Sequence, residues 1–213
     1  MDAFIFDLDG VIVFTDHFHY QAWKKMADRL GIYFDEKINN RLRGVSRADS
    51  LEIILERYEG VLSSEEKAAL MEQKNNDYRQ SLAAMAPKDV SGEVRDTLLT
   101  LREMGFVLAI GSSSKNAGFI LEKVGLTNLF DAVSDGNNIT RSKPDPEVFL
   151  KAAEFLQMPP ASCTVVEDAV AGIEAAKAAG MAAIGIGDAA TCKDADYRIA
   201  SFGELIQIAG QWK

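Results

Sequence analysis

Asp7 and Asp9 stand two residues apart in Phe6-Asp7-Leu8-Asp9-Gly10-Val11, directly after a short apolar run. An ionised aspartate is a competent nucleophile toward phosphorus, and a second carboxyl nearby can give and take the proton of the leaving and attacking oxygens. Far along the chain, Glu167-Asp168 again follows an apolar run. Asp7 and Asp168 are the hard oxygen donors that an octahedral Mg²⁺ takes beside water and phosphate oxygens. Lys143, in Ser142-Lys143-Pro144-Asp145-Pro146, offers an ammonium, and Ser112, opening Ser112-Ser113-Ser114-Lys115-Asn116, offers a hydroxyl. Both suit the charge on a transferring phosphoryl group. Singly, each has an ordinary structural explanation: Asp-x-Asp and serines make turns, a lone lysine is solvated, and Glu-Asp caps a helix. Their combination in this order, each at the end of an apolar run or in a facing loop, is what makes phosphoryl transfer the reading.

Such a constellation needs a sheet to converge on. Apolar runs bounded by Gly, Asp or Ser predict strands at 3–6, 106–110, 132–133, 163–166 and 182–186, of the kind buried on both faces. Amphipathic patterns predict helices at 94–104, 117–124, 146–156 and 169–179. Gly105, Gly125 and Gly180 fall where C-caps belong, and Asp145-Pro146 reads as an N-cap followed by proline at the first helical position. Strands alternating with helices imply an α/β fold, a Rossmann-like parallel sheet covered on both faces, with ligand sites beyond the carboxyl ends of the strands.

From Thr15 to about Ala86 the alternation stops and helical periodicity takes over. Ala22, Trp23, Met26, Ala27 and Leu30 share one helix face, Leu51, Ile54 and Leu55 another, and Ser63 with Glu66 forms a capping box for a helix ending near Leu82. The expected division is an α/β core from residues 1–14 and 87–213 with a helical module at 15–86 inserted after the first strand. Trp23 reads as core of that module. Lys74 lies mid-helix among polar neighbours, where solvent exposure is the ordinary outcome, and His17 takes no assigned role.

Composition narrows the classes. With 32 acidic against 23 basic residues in 213, the chain carries a net charge of −9, which disfavours a nucleic-acid backbone as partner. A hydrophobic fraction of 47% excludes disorder, and no apolar run approaches the ~20 residues of a membrane span. Asp7 and Asp9 interrupt what would be a signal peptide's apolar stretch, and two cysteines make no disulfide framework, so the expected compartment is cytoplasmic.

Asp7-Leu8-Asp9-Gly10-Val11, Ser112, Lys143-Pro144 and Glu167-Asp168 together resemble the four motifs of the haloacid dehalogenase superfamily of phosphotransferases, and residues 15–86 resemble its small α-helical cap domain. The second aspartate, which a dehalogenase does not need, favours phosphoryl transfer. Thr15, His19, Trp23 and Lys24, then Gly44-Val45-Ser46-Arg47, Lys74-Asn75 with Tyr78, and Ser112, Ser114, Lys115 and Asn116 are similar to the pattern of the β-phosphoglucomutase family. That resemblance implies interconversion of β-glucose 1-phosphate and glucose 6-phosphate, with Mg²⁺ as cofactor and β-glucose 1,6-bisphosphate as priming intermediate. It implies Asp7 as the phosphorylated nucleophile and Asp9 as general acid/base. Mg²⁺ would sit on Asp7, the Asp9 carbonyl and Asp168, with Glu167 at or just behind the metal. Arg47, Ser114, Lys115 and Asn116 would hold the distal phosphate, and Gly44 and Val45 accompany Arg47 in substrate binding. His19 and Lys74 would face the sugar or position Asp9, and Thr15 would lie at the hinge of core and cap. The implied partner is a small phosphorylated sugar bound by a monomer, with neither nucleic acid nor membrane involved.

A mutase intermediate carries two phosphates, so its enzyme needs two anion pockets. Asp7, Ser112 and Lys143 with Mg²⁺ make one, and the forked, permanent cation of Arg47 with Lys115 and Asn116 makes the other. Local cations and metal thereby offset the negative total charge. The alternative is a sugar-phosphate phosphatase of the same superfamily, with water as acceptor; a non-catalytic sugar-phosphate sensor is disfavoured by the intact Asp7 and Asp9. Gly185-Ile186-Gly187 is not followed by a phosphate-binding helix pattern. Three positions depart from the family pattern: Phe14 replaces an aspartate, Arg43 a lysine, and Ser91-Gly92-Glu93 a Pro-Gly turn.

Overall fold

Four consecutive apolar side chains can be satisfied only inside a sheet covered on both faces, and β1 (Ala3–Phe6) is buried along its whole length. The structure, a computed structural model, describes residues 1–42 and 45–212. Among the described residues β1 is joined by β2 (Val107–Gly111), β3 (Ala132–Ser134), β4 (Cys163–Glu167), β5 (Ala182–Gly185) and β6 (Tyr197–Arg198). The strands pair in parallel in the order β3-β2-β1-β4-β5-β6. β2 and β3 add to one side of β1, and β4 to β6 to the other. The crevice beyond the carboxyl ends of β1 and β4 is therefore the switch point at which such sheets bind ligands.

By contact, the chain forms two compact units, Met1–Phe14 with Ala86–Lys213, and Thr15–Met85. The second is helical: α1 (Asp16–Arg29), α2 (Glu36–Asn40), α3 (Arg47–Leu55) and α4 (Ser64–Leu82). Trp23, Met26 and Ala27 of α1 pack with Ile32, Phe34, Ile38, Leu51 and Ile54. Ser63 and Glu66 exchange side-chain and backbone hydrogen bonds at the start of α4 as a full capping box. The buried stripe of α4 is Lys74, Tyr78 and Leu82, four residues apart each time.

In the first unit the sheet is flanked by α5 (Gly92–Glu103), α6 (Ala117–Lys123), α7 (Glu147–Leu156), α8 (Val170–Ala178) and α9 (Leu205–Gly210). Ala3 and Ile5 pack with Val148, Phe149, Ile173 and Ala176 of α7 and α8. Phe4 and Phe6 turn to the opposite face and meet an aromatic layer of Phe106, Phe130, Phe202 and Trp212, with ring centroids 5.1–6.2 Å apart. Ser91 caps α5 by accepting from Val94 N–H, so the departure at Ser91-Gly92-Glu93 supplies its own helix start. Gly105, Gly125 and Gly180 take positive φ beyond their helices, as C-cap positions require. Cys163 and Cys192 are both free and buried. No helix among the described residues is long and apolar enough to cross a membrane.

Most elements differ from the expected bounds by a residue or two, and three differences from the sequence expectation have a clear cause. β2 runs one residue later than 106–110, because Gly111 still pairs with Ser134 of β3. The helix expected from Pro146 begins at Glu147: Asp145 Oδ1 accepts from Glu147 N–H at 3.0 Å, which places the proline at the cap instead of inside. β6 was not expected at all; it is a two-residue edge strand, too short to carry a periodic signal.

Candidate active site

β1 and β4 are neighbours in register, Phe6 beside Val166, and Asp7 N–H donates to Val166 O at 2.9 Å. The next side chains, Asp7 and Glu167, therefore emerge together at the carboxyl edge of the sheet. Lys143 comes down on them from the loop before α7. Its Nζ lies 2.5 Å from Asp7 Oδ1 and donates also to Glu167 Oε1. All three side chains are withdrawn from solvent, Lys143 at 5%, Asp7 at 8% and Glu167 at 1% exposure. Burial alone would drive the lysine proton off, but the charges of Asp7 and Glu167 outweigh it and hold the Lys143 ammonium above its ordinary value. Burial pushes Glu167 upward, with the negative charge of Asp7 adding to it against the pull of Lys143. Glu167 Oε2 is engaged too, accepting from Ala169 N–H at 2.9 Å.

Two glycines make room for this arrangement. A Cβ on Gly172 would stand 1.9 Å from Glu167 Cδ, and one on Gly10 would stand 2.1 Å from Asp168 Oδ2. The Asp168 carboxylate thus lies directly over the Asp9-Gly10 backbone. Gly10 also needs the φ of +87° that its turn adopts, with its N–H donating to Val13 O at 2.7 Å. Among the described residues no three His, Cys, Asp or Glu side chains form a closed metal cluster. The hard donors at this sheet edge are instead the carboxylate of Asp7 and that of Asp168, which lies against Gly10. That hard, anionic set fits an ion that keeps several waters and takes phosphate oxygens, as Mg²⁺ does.

Ser112 follows β2 and is 2% exposed, with its N–H donating to Ser134 O at 3.0 Å. Its hydroxyl accepts from Ser114 N–H at 3.1 Å, and the Ser114 hydroxyl accepts from Asn116 N–H at 3.2 Å. Two linked side-chain turns wind Ser112 to Asn116 into one rigid loop that ends at α6. Asn116 is buried and Lys115 is exposed. Three residues unnoticed in the sequence support these groups. Asn137 donates to Lys115 O at 3.1 Å, and Gly136 lies so close that a Cβ would sit 2.5 Å from Ser113 O. Phe149 places its ring 4.8 Å from Lys143 Nζ. Nothing in an apolar helix position distinguishes Phe149 from ordinary core.

The helical unit has its own polar assembly. Thr15 Oγ1 and Tyr78 Oη are 3.0 Å apart, and both residues are fully buried. Lys74, only 3% exposed instead of solvated as its neighbours suggested, places Nζ 2.9 Å from His19 Nδ1. Its ammonium lies 4.4 Å from the Trp23 ring centroid and 4.9 Å from that of Tyr78. Burial first, then Lys74 and Arg47, hold His19 well below the usual histidine range, so the ring is neutral at pH 7. Arg47, the first residue of α3 after the Ser46 cap, is half-buried and donates through Nη2 to Asn75 Oδ1 at 2.8 Å. Val45 is half-buried in the segment before it. Gly44 and Arg43 lie outside the described residues. The structure thus brings Asp7, Lys143, Glu167 and the Asp168–Gly10 pair together in one unit, and Thr15, His19, Lys74 and Arg47 with Tyr78 and Asn75 in the other. Asn75 and Tyr78 were part of the quoted motif, but their partners lie 28 and 63 residues away and no spacing announces them.

Comparison with known proteins matches residues 1–180 to a family model described as haloacid dehalogenase-like hydrolase. The chain is 40% identical over 207 residues to the β-phosphoglucomutase of Bacillus subtilis, covering 96% of this chain and 92% of that protein. It is 32% identical over 184 residues to a phosphorylated carbohydrates phosphatase of Thermotoga maritima, covering 85% of this chain and 82% of that one. Among solved structures, a β-phosphoglucomutase from Clostridium difficile superposes with a TM-score of 0.92 at 36% identity, covering 100% of this chain and 98% of that one.

Proposed function

The chain belongs to the haloacid dehalogenase-like hydrolase family, and within it to the β-phosphoglucomutases, and from that premise we propose that it interconverts β-D-glucose 1-phosphate and D-glucose 6-phosphate through an aspartyl-phosphate enzyme. The observation that carries this reading is the Lys143 ammonium held between Asp7 and Glu167 at the sheet's switch point, beside the Asp168 carboxylate. An enzyme of this class depends on a divalent cation. Asp7, Asp168 and the Asp9 carbonyl would hold it, with Glu167 behind them, and bound Mg²⁺ neutralises charge on the phosphoryl oxygens.

The chain's own groups divide the remaining work. Asp7 Oδ2, the oxygen not engaged by Lys143, attacks phosphorus, and the bond from phosphorus to the sugar oxygen breaks. Asp9 protonates that leaving oxygen. In the second half-reaction a sugar hydroxyl attacks the phosphoaspartate, Asp9 takes its proton, and Asp7 returns to a free carboxylate. Lys143 and Ser112 hold phosphoryl oxygens through both steps, and each acts while buried, where such charge stabilisation is largest. Arg47, Ser114, Lys115 and Asn116 hold the second phosphate of the bisphosphate, with Gly44 and Val45 beside Arg47. His19 and Lys74 serve the sugar, and Thr15 marks the chain's passage into the helical unit, which acts as a cap.

Hydrolysis by the same core is the second reading, favoured by the phosphatase from Thermotoga maritima at 32% identity. One assay separates them. Purified protein with β-glucose 1-phosphate, Mg²⁺ and a trace of bisphosphate yields glucose 6-phosphate if it is a mutase; inorganic phosphate as the main product rejects the mutase.

A further inference from the structure

Phe149 is fully buried on α7, and its ring lies beneath the Lys143 ammonium, with the centroid 4.8 Å from Nζ. The first turn of the helix fixes its backbone, Phe149 N–H donating to Pro146 O at 3.0 Å. The neighbouring strand is shaped for that ring. Gly111 is the last residue of β2, and a Cβ there would stand 2.7 Å from Phe149 Cδ1 and 2.8 Å from Cε1. Gly111 does not take a positive φ, so its backbone conformation does not call for glycine; the ring does. Ser112 follows directly, so one strand end both clears the place of the ring and delivers the hydroxyl.

We propose that Phe149 is a positioning residue for phosphoryl transfer: its ring steadies the Lys143 ammonium while Asp7 changes charge, and Gly111 keeps the place of the ring clear. This role rests on the use of Asp7 and Lys143 proposed above. Before reaction, two carboxylates hold the ammonium, through Asp7 Oδ1 and Glu167 Oε1. When Asp7 Oδ2 bonds to phosphorus, the bond from phosphorus to the sugar oxygen breaks with its electron pair on that oxygen, and Asp9 supplies the proton. Asp7 is then an acyl phosphate, and Oδ1 is its uncharged carbonyl oxygen. The attraction of two unit charges is lost there, at the step in which Lys143 must hold the transferred group. A ring attracts a cation through its quadrupole, which the reaction leaves unchanged, and the attraction is largest where water is excluded. Glu167 and Phe149 are the two holds on Lys143 that persist through the phosphoenzyme. Packing alone would ask only for an apolar side chain at 149; this role asks for an electron-rich ring.

Ring fluorination separates the two demands, because it drains the negative face of the ring and nearly keeps its outline. Full-length protein carrying mono-, di- or trifluorinated phenylalanine at position 149 alone is assayed with a small aryl phosphate at saturating Mg²⁺. The kcat is expected to fall in the order of fluorination, by about tenfold at the trifluorinated ring, while KM changes less. The free energy of unfolding should follow the same order in the parent but not in Lys143→Met, which offers the ring no cation. Gly111→Ala, whose Cβ displaces the ring, should lower kcat in the same way; if it does not fold, the fluorinated series decides. A kcat indifferent to fluorination in folded protein overturns the role of the ring, as does an unfolding order that survives in Lys143→Met. The aryl phosphate reads chemistry common to mutase and phosphatase. Inorganic phosphate as the main product from β-glucose 1-phosphate would therefore defeat the mutase reading and leave the role of Phe149 standing. Aryl phosphate turnover that survives Asp7→Asn would defeat the use of Asp7, and the positioning role with it.

Discussion

Lys143 Nζ and Asp7 Oδ1 stand 2.5 Å apart across 136 residues of chain, both inside the protein. The pairing sets the Lys143 ammonium against Asp7 and Glu167, with the Asp168 carboxylate following in sequence, so the carboxylates outnumber this cation until a divalent metal arrives. That sign explains how a chain with a total charge of −9 takes an anionic substrate: the carboxylates recruit the metal, and the metal with Lys143 recruits the phosphate.

Removing the ammonium should be costly twice over. Lys143→Met leaves Asp7 and Glu167 facing one another in a dry site, and breaking a buried pair in this way costs about 3–5 kcal/mol. Activity falls further, by roughly 10²–10³ for loss of one preorganised donor to the transferring group. Denaturant unfolding checks the first and turnover at saturating Mg²⁺ the second. Unchanged stability together with near-normal turnover would mean that the pair is incidental.

Gly10→Ala tests the carboxylate cradle. The new Cβ would meet Asp168 Oδ2 at 2.1 Å in a turn at φ +87°, so Asp168 has to leave its place over the Asp9-Gly10 backbone. The Mg²⁺ concentration for half-maximal activity is expected to rise at least tenfold, about 1.4 kcal/mol of metal binding. Gly172→Ala displaces Glu167 instead, and should lower turnover with a smaller change in the Mg²⁺ requirement. An unaltered requirement in Gly10→Ala would remove Asp168 from the metal site.

Arg47 should matter for the second phosphate and little for the chemistry at Asp7. Arg47→Ala is expected to lower mutase turnover far more than hydrolysis of a small aryl phosphate, which has no second phosphate to hold. Asn75→Ala, which frees the guanidinium that Asn75 Oδ1 holds at 2.8 Å, should show the same pattern to a lesser degree. Equal losses in both assays would count against a distal-phosphate role.

Acid should weaken the fold through His19. Its native pKa is depressed by burial and by Lys74 and Arg47, whereas in the unfolded chain the ring protonates near its ordinary value of about 6.5. The unfolded state therefore binds the extra proton, so stability is full above about 6.5 and is lost as the pH falls toward the native value. His19→Gln should flatten the slope of unfolding free energy over pH 5 to 6.5, measured by urea titration. The same slope in parent and variant would show that His19 protonates alike in both states.

How much of this was legible depended on whether the signal was local. β1 was readable because a strand buried on both faces is an unbroken apolar run, and α4 because Ser63 and Glu66 announce its first turn. Asp7, Ser112 and Glu167 stood out by lying at the ends of such runs, and Lys143 by its place in the loop before α7. Partnerships were not legible. Lys74 sits among polar neighbours on its own helix, and its burial against Trp23 and His19, 51 and 55 positions earlier in sequence, carries no local signal. Phe149 looks like any core residue of α7 until Lys143 is seen over its ring. β6 escaped because two residues on a sheet edge carry no period.

The central claim is that phosphate moves from sugar to Asp7 and back to sugar, with water excluded as acceptor. The most direct measurement is product analysis after incubating purified protein with β-glucose 1-phosphate, Mg²⁺ and trace β-glucose 1,6-bisphosphate, with Asp7→Asn as the inactive reference. The account predicts glucose 6-phosphate in proportion to substrate consumed and none from Asp7→Asn. Stoichiometric inorganic phosphate without glucose 6-phosphate would contradict it.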